Sequence, residues 1–414
     1  MNRLWCGNRR WTSWKWFNKL QVRCIADLRP FEEGDLVILR QKLDKSAPPI
    51  LTKALKPGRS INSHTGVITH DEIIGRRVRD VVKTATARSG REGTEYRLQN
   101  VKLEEYVRLS RRLVTPIYPA DAALIVDLLD LHVETYNADA AREDQPSLEI
   151  LEAGTGHGAL TLYLSRAIHG ANPPELHIYP NEDNEAYRDD LTEWKRKRRA
   201  IVHSIDSSAK YSAHAEKTVR GFKRGMYYGN VDFHVTDVGA WTRKALADRQ
   251  DRPFLSHVFL DLPNADTQLA DVAKALRTDG CLIVFNPSIT QILDCVRVIR
   301  EEDLPLEMDN VIELGLNGSS GGRDWKVRAV KVRSRPESLT SERGEPSTDD
   351  NPIPNNSGSE EDIATNSQTD SEPEVTARSA ERWSMICRPH VGERVTGGGF
   401  LGIWRKRRDM RTEA

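Results

Sequence analysis

An α/β fold, with a mostly parallel sheet covered by helices on both faces and a small β-rich unit ahead of it, is what this 414-residue sequence predicts. Three observations lead there. The apolar run Ile150-Leu151 ends in Glu152 and passes through Gly154, Gly156 and Gly158 into Ala159–Ala167, whose apolar residues fall at helical spacing. This pattern is a buried strand, a tight turn and a helix start. Downstream, short apolar runs ending in Asp206, Asp237 and Asp261 alternate with helical stretches, as in a parallel sheet. Upstream, Gly34 to Leu113 holds only short runs separated by turn residues.

The elements follow in order. Asp35–Arg40 alternates into a strand, Lys56-Pro57-Gly58 is a turn, and Gly66–Asp71 followed by Ile73-Ile74-Gly75 reads as strand, turn, strand. Tyr96–Leu98 continues the series, and Leu103–Val107 is a short helix. Ala122–Leu131 is an apolar helix leading to the glycine motif. Beyond the motif, strands are expected at 201–205, 231–235, 257–260 and 281–285, with helices at 209–222 and 289–299. Gly399–Trp404 is a last strand. The resulting division is 1–26 leader, 30–113 β-rich module, 114–333 Rossmann-like domain, 334–381 acidic insertion, and 382–414 a final strand returning to the sheet.

Composition bounds the function. The formal charge is zero, yet residues 334–381 hold three bases and twelve acids with almost nothing apolar, which predicts disorder. Without them the charge is +9, and six of those bases lie in residues 1–26, so nucleic-acid binding must rest on local patches. Residues 1–26 lack any acid and interleave Arg9, Arg10, Lys15 and Lys19 with Trp11, Trp14 and Trp16. That leader reads as a mitochondrial transit peptide, with a basic arm as the plainer alternative. The five cysteines are scattered without C-x-x-C spacing, which argues against structural zinc or a disulfide framework. No apolar stretch approaches the roughly 20 residues of a membrane span.

The glycine turn, Gly154-Thr155-Gly156-His157-Gly158, brings backbone close to a ligand at the carboxyl edge of the sheet. A dinucleotide and S-adenosylmethionine (SAM) both remain open on that motif; the spacing G-x-G-x-G, in place of G-x-G-x-x-G, favours SAM. Acids at successive strand ends then take cofactor roles: Glu152 orienting the polar tail, Asp206 accepting the ribose hydroxyls, Asp237 receiving the adenine amino group. Solvation or helix capping is the plainer reading of each.

Five stretches taken together resemble the catalytic subunit of tRNA (adenine-58-N1)-methyltransferase, in the class I SAM-dependent superfamily. They are His70-Asp71 with Ile74-Gly75, Ile117-Tyr118-Pro119-Ala120-Asp121, Leu151–Gly156, Leu260-Asp261-Leu262-Pro263 and Asn286-Pro287-Ser288-Ile289-Thr290-Gln291. They cover roughly 34–333 and the final strand. The resemblance implies a SAM-binding methyltransferase domain whose Asp261 is catalytic and faces the target adenine, with Tyr118, Glu152, Gly154, Thr155, Gly156, His157, Gly158, Asp206 and Asp237 around the cofactor. It implies tRNA as substrate, an RNA-binding or oligomerisation role for the 30–113 module, and a tetramer, of one chain type or with a non-catalytic tRNA-binding subunit.

The chain departs from that family in places. His157 stands where the family usually has a small residue, and Pro263-Asn264 lacks the family's aromatic. Residues 170–200 form a polar insertion whose Lys195–Arg199 run contacts phosphates, serves as a nuclear signal, or is a solvated helix face. The expected compartment is mitochondrial, with the nucleus as alternative. Methylation of another RNA or of protein, a non-catalytic paralogue, and a NAD-dependent dehydrogenase are the competing readings. The intact glycine motif and Asp261 speak against the paralogue, and the lack of a His/Lys/Tyr constellation against the dehydrogenase.

Overall fold

The computed structural model describes residues 29–44, 47–85, 93–137, 148–174, 185–315, 323–331, 383–389 and 398–408. The leader 1–26 and the acidic segment 334–381 lie outside these residues. The first strands are β1 (Val37–Gln41), β2 (Ile50–Leu51), β3 (Ser60–Ser63), β4 (Gly66–Thr69), β5 (Val81–Lys83) and β6 (Glu95–Asn100). An antiparallel sheet runs β2-β1-β6-β5, and β3 pairs with β4 in a hairpin. In β1, Val37 and Leu39 face a local core with Ile68, Val82, Tyr96 and Leu98, while Ile38 between them is buried in the core of the larger sheet. Period-two alternation thus gives one strand two apolar faces, and the second joins the module to the rest of the chain.

One strand expectation fails here. Ile73-Ile74-Gly75 is a turn, because the amides of Ile73 and Ile74 both donate to His70 O, at 3.0 and 2.9 Å. Ile73 is buried as a plug in the small core, so its apolar character reports burial and not extension.

The chain continues through α1 (Leu103–Leu109), α2 (Pro119–Leu128), β7 (Leu148–Ala153), α3 (Ala159–Ile168), α4 (Glu185–Arg196), β8 (Ala200–Asp206), α5 (Ala209–Gly221), β9 (Val231–Val235) and α6 (Val238–Ala247). Then come β10 (Leu255–Leu260), α7 (Leu269–Ala275), β11 (Leu276–Asn286), α8 (Ile289–Glu301), β12 (Leu306–Glu313), β13 (Arg323–Lys331), β14 (Trp383–Pro389) and β15 (Phe400–Lys406). The nine strands of the sheet lie in the order β14-β13-β12-β15-β11-β10-β7-β8-β9. The five from β11 to β9 are parallel, and β15 enters antiparallel between β11 and β12.

Alternate residues feed two cores. Ile150, Val202, Phe259 and Ile283 pack on the α2–α3 side, and Leu151, Ile205, Leu260 and Leu282 pack on the side of α6, α7 and α8. That double burial is why these strands read as continuous apolar runs. The expected last strand is β15. The chain leaves β7 towards β8 on one side and returns to β10 on the other, so the strand order reverses between β7 and β10, where α/β ligands bind.

Candidate active site

The glycine turn sits at that reversal. Gly154, Gly156 and Gly158 have φ of 87°, 52° and 80°, left-handed values that favour glycine. Each glycine has its own constraint. A Cβ on Gly154 would lie 2.1 Å from Asp261 O, on the neighbouring strand end, and one on Gly158 would meet Ala215 of α5 at 3.1 Å. A Cβ on Gly156 would press on Val114 at 3.3 Å. The end of β8 fixes the turn's backbone, since the amides of Gly154 and Thr155 donate to Ile205 O at 2.9 and 3.3 Å.

Asp206 closes this arrangement. Its Oδ2 accepts from Gly156 N at 3.1 Å and its Oδ1 from Ser208 N at 2.8 Å. Glu152 is buried at the end of β7, and its Oε2 accepts from Thr161 and Ser204 hydroxyls. Burial pushes its carboxyl up to about 7, and the nearby Asp261 adds to the rise against the hydroxyls. Asp237 caps α6, with Oδ1 accepting from Ala240 N at 2.9 Å, so the capping alternative holds for one of its oxygens.

Asp261 follows β10 directly, its amide donating to Ala153 O at 2.9 Å. No hydrogen bond or ion pair to its carboxylate is found among the described residues, and burial pushes it up to about 7. Two sequence motifs explain one another around it. Asn286 Nδ2 donates to Leu262 O at 3.1 Å and Gln291 Nε2 to Pro263 O at 3.2 Å. The Asn-Pro-Ser-Ile-Thr-Gln stretch therefore braces the loop that carries the acid.

Tyr118 precedes Pro119 at the start of α2, is 46% exposed, and has the Arg112 guanidinium 5.8 Å from its ring. His157, in contrast, is turned inward. Its Nε2 lies 3.1 Å from Ser110 Oγ and its ring 5.7 Å from that of His214, which itself reaches Arg111 O at 3.0 Å. Burial, with His214 and Arg112 nearby, lowers its pKa to about 4. The imidazole thus clasps the segment after α1 onto the glycine turn as a neutral group.

The basic run is not a free patch. Lys195 and Arg198 both bind Asp232, each at 2.7 Å, and Arg198 is buried in doing so. Arg196 and Lys197 flank Glu193 at 3.6 and 3.1 Å. Lys195 and Arg198 are thus tied to β9, while Arg196 and Lys197 stay on the exposed face of the helix end. Ser204 and Thr161, which complete the polar setting of Glu152, were missed in the sequence. Their only signal is a hydroxyl within an otherwise apolar strand and helix.

Among the described residues no group of His, Cys, Asp and Glu is arranged to hold a metal. No helix among them is long and apolar enough to cross a membrane.

No family model matches the chain. The tRNA (adenine(58)-N(1))-methyltransferases TrmI of two Thermus thermophilus strains are each 29% identical to it over 280 residues, 68% of this chain and 84% of theirs. A solved SAM-dependent O-methyltransferase from Thermotoga maritima shares the fold, with a TM-score of 0.54 at 16% identity over 94% of this chain and 98% of that one. The chain is thus related in sequence to the tRNA (adenine-58-N1)-methyltransferases and has the fold of a SAM-dependent methyltransferase.

Proposed function

We propose that this methyltransferase transfers the SAM methyl group to N1 of adenine 58 in the T-loop of tRNA. The observation that carries this reading is Asp261: a carboxylate without a cation partner, at the sheet edge where the strand order reverses, its backbone in contact with the glycine turn. The named activity of the Thermus relatives supports the same choice of substrate.

The residues fit SAM. Three left-handed glycines let the turn pack closely against Asp261, Val114 and Ala215, and Asp206 offers a carboxylate already tied to Gly156 N. Gly154, Thr155, Gly156 and Gly158 would cradle the cofactor, Asp206 would take the ribose hydroxyls and Asp237 the adenine amino group. Glu152 acts from behind the turn, Tyr118 would contact the cofactor from the start of α2, and His157 holds the clasp. SAM supplies an electrophilic methyl group on a sulfonium.

Asp261 has a different task. N1 of adenine carries its own lone pair, so no strong base is needed to create the nucleophile. Attack in line with the departing sulfur is mainly a matter of placing the base. A carboxylate accepting from the exocyclic amine fixes the ring and favours the positive charge that develops on it. The Asn286 and Gln291 braces keep that acceptor in place. The target base must leave its stack to reach the acid.

Purified protein, alone, incubated with labelled SAM and separately with bulk tRNA, ribosomal RNA and a protein extract tests the substrate class. Label entering tRNA is expected. Label entering only ribosomal RNA or protein overturns the proposal, and label appearing only when a second subunit is added replaces a one-chain enzyme by a heteromeric one.

A further inference from the structure

Behind the glycine turn lies a closed set of four buried polar side chains from four segments. Thr155 belongs to the turn, Ser204 to β8, Glu152 to β7 and Thr161 to the first turn of α3. Glu152 Oε2 accepts from Thr161 Oγ1 at 2.6 Å and from Ser204 Oγ at 3.0 Å, and Ser204 Oγ lies 2.8 Å from Thr155 Oγ1. Hydrogen-bond capacity settles the direction of each bond. A serine hydroxyl has one proton. Ser204 gives its proton to Glu152, so its oxygen accepts from Thr155, and the relay runs Thr155 to Ser204 to Glu152, with Thr161 donating to the same oxygen from the opposite side.

The place of this relay matters. Thr155 sits between Gly154 and Gly156, whose left-handed backbone has no side chain of its own to fix it. Its hydroxyl is thus a side-chain tether between the turn and the strand beside it, complementing the backbone bonds to Ile205 O. We infer that Ser204 and Thr161 are positioning residues for cofactor binding, which use the Glu152 carboxylate to orient Thr155 and so hold the glycine turn in its SAM-accepting shape. The inference rests on the reading of that turn as the SAM cradle.

The relay is strongest with an anion at its end. A neutral Glu152 still accepts on Oε2, but less strongly than the anion, so the hold of Ser204 on Thr155 loosens. Burial holds the Glu152 carboxyl near 7; Asp261 is the charged group that faces it, and the Thr161 and Ser204 hydroxyls oppose the rise. SAM affinity should therefore weaken as pH falls through about 7. Losing one hydroxyl donor should move that midpoint upward, because the anion loses a stabilising bond.

The test is calorimetric SAM binding from pH 5.5 to 8.5 on the full chain, with melting temperatures recorded on the same samples. Ser204→Ala and Thr161→Val are each expected to weaken SAM binding about tenfold at pH 7 and to shift the pH midpoint upward. Thr161→Ser should recover most of the loss. Thr155→Val combined with Ser204→Ala should weaken binding little more than either alone, since both cut one relay. Glu152→Gln should abolish the pH midpoint. If Ser204→Ala and Thr161→Val both bind SAM with wild-type affinity and an unshifted midpoint, the relay has no positioning role. Asp206→Ala separates the two levels: if it too leaves SAM binding unchanged, the cradle itself is misplaced, whereas weakened binding there beside unaffected relay variants overturns the relay alone. Should Ser204→Ala fail to fold, Thr161→Val against Thr161→Ser decides the matter.

Discussion

Asp261 holds a charge where the fold gains nothing from it. Its carboxyl is raised from 3.8 to about 7 by burial, so the folded protein holds a proton there that the unfolded chain releases. Between those two values stability falls as pH rises, and above about 7 the whole cost is borne. Asp261→Asn should therefore be more stable than the wild type at pH 8, by ~1–3 kcal/mol, with the gap closing towards pH 4. Thermal melts across that range check the sign. The same variant should retain SAM binding within about twofold while losing methyl transfer by at least about a hundredfold, the scale of one lost electrostatic contact to a transition state. Because the acceptor form is the anion, wild-type turnover should rise with pH through about 7. Asp206→Ala should show the opposite split, weakening SAM binding by ~1–3 kcal/mol, the range for a lost charged hydrogen bond. Equal SAM dissociation constants for wild type and Asp206→Ala would remove that residue from the cofactor site. Asp261 and Asp206 were legible in the sequence because each ends an apolar run. Ser204 and Thr161 were not, because a hydroxyl inside a strand or helix has no periodicity to mark it.

At the level of elements, the glycine turn was legible and exacting. Gly154→Ala should fail to fold or lose ~3 kcal/mol or more, because a left-handed backbone and a Cβ 2.1 Å from Asp261 O cannot both be relieved; circular dichroism melts would show it. A wild-type melt would mean that β7 and β10 separate easily there. The run Lys195–Arg199 teaches the reverse lesson. In the sequence it is an undivided basic patch, but Asp232, thirty-odd residues on, converts two of its members into structure. Burial alone would raise the Asp232 carboxyl; Arg198 and Lys195 overcome that and hold it well below the usual carboxylate range. Such a pair stabilises the fold above the ordinary carboxylate pKa and is lost as pH falls through the depressed value. The failed strand at Ile73-Ile74 has the same origin: a short apolar run reports that a segment is buried, and the bonds to His70 O decide its shape. β12, β13 and β14 were absent from the reading, although in β13 Trp325, Val327 and Ala329 alternate with Lys326 and Arg328.

The larger sheet is a five-stranded parallel core extended by antiparallel strands, among them one from the far end of the chain. β15 enters between β11 and β12, and β13 pairs with β14 with Lys331 opposite Trp383, so the acidic segment joins two adjacent strand ends. Deleting residues 336–380 should leave fold and transfer activity intact. Shortening that connection should even stabilise the hairpin by ~1–2 kcal/mol through reduced loop-closure entropy. A large fall in melting temperature would show that the segment packs on the domain. The central claim, N1 methylation of adenine 58, is tested most directly by mapping the product. Wild-type protein with SAM and a tRNA transcript is expected to give N1-methyladenosine at position 58, with no product on a transcript carrying guanosine there and little from Asp261→Asn on either. Methylation at another nucleoside or position, or undiminished N1-methyladenosine from Asp261→Asn, would contradict the account.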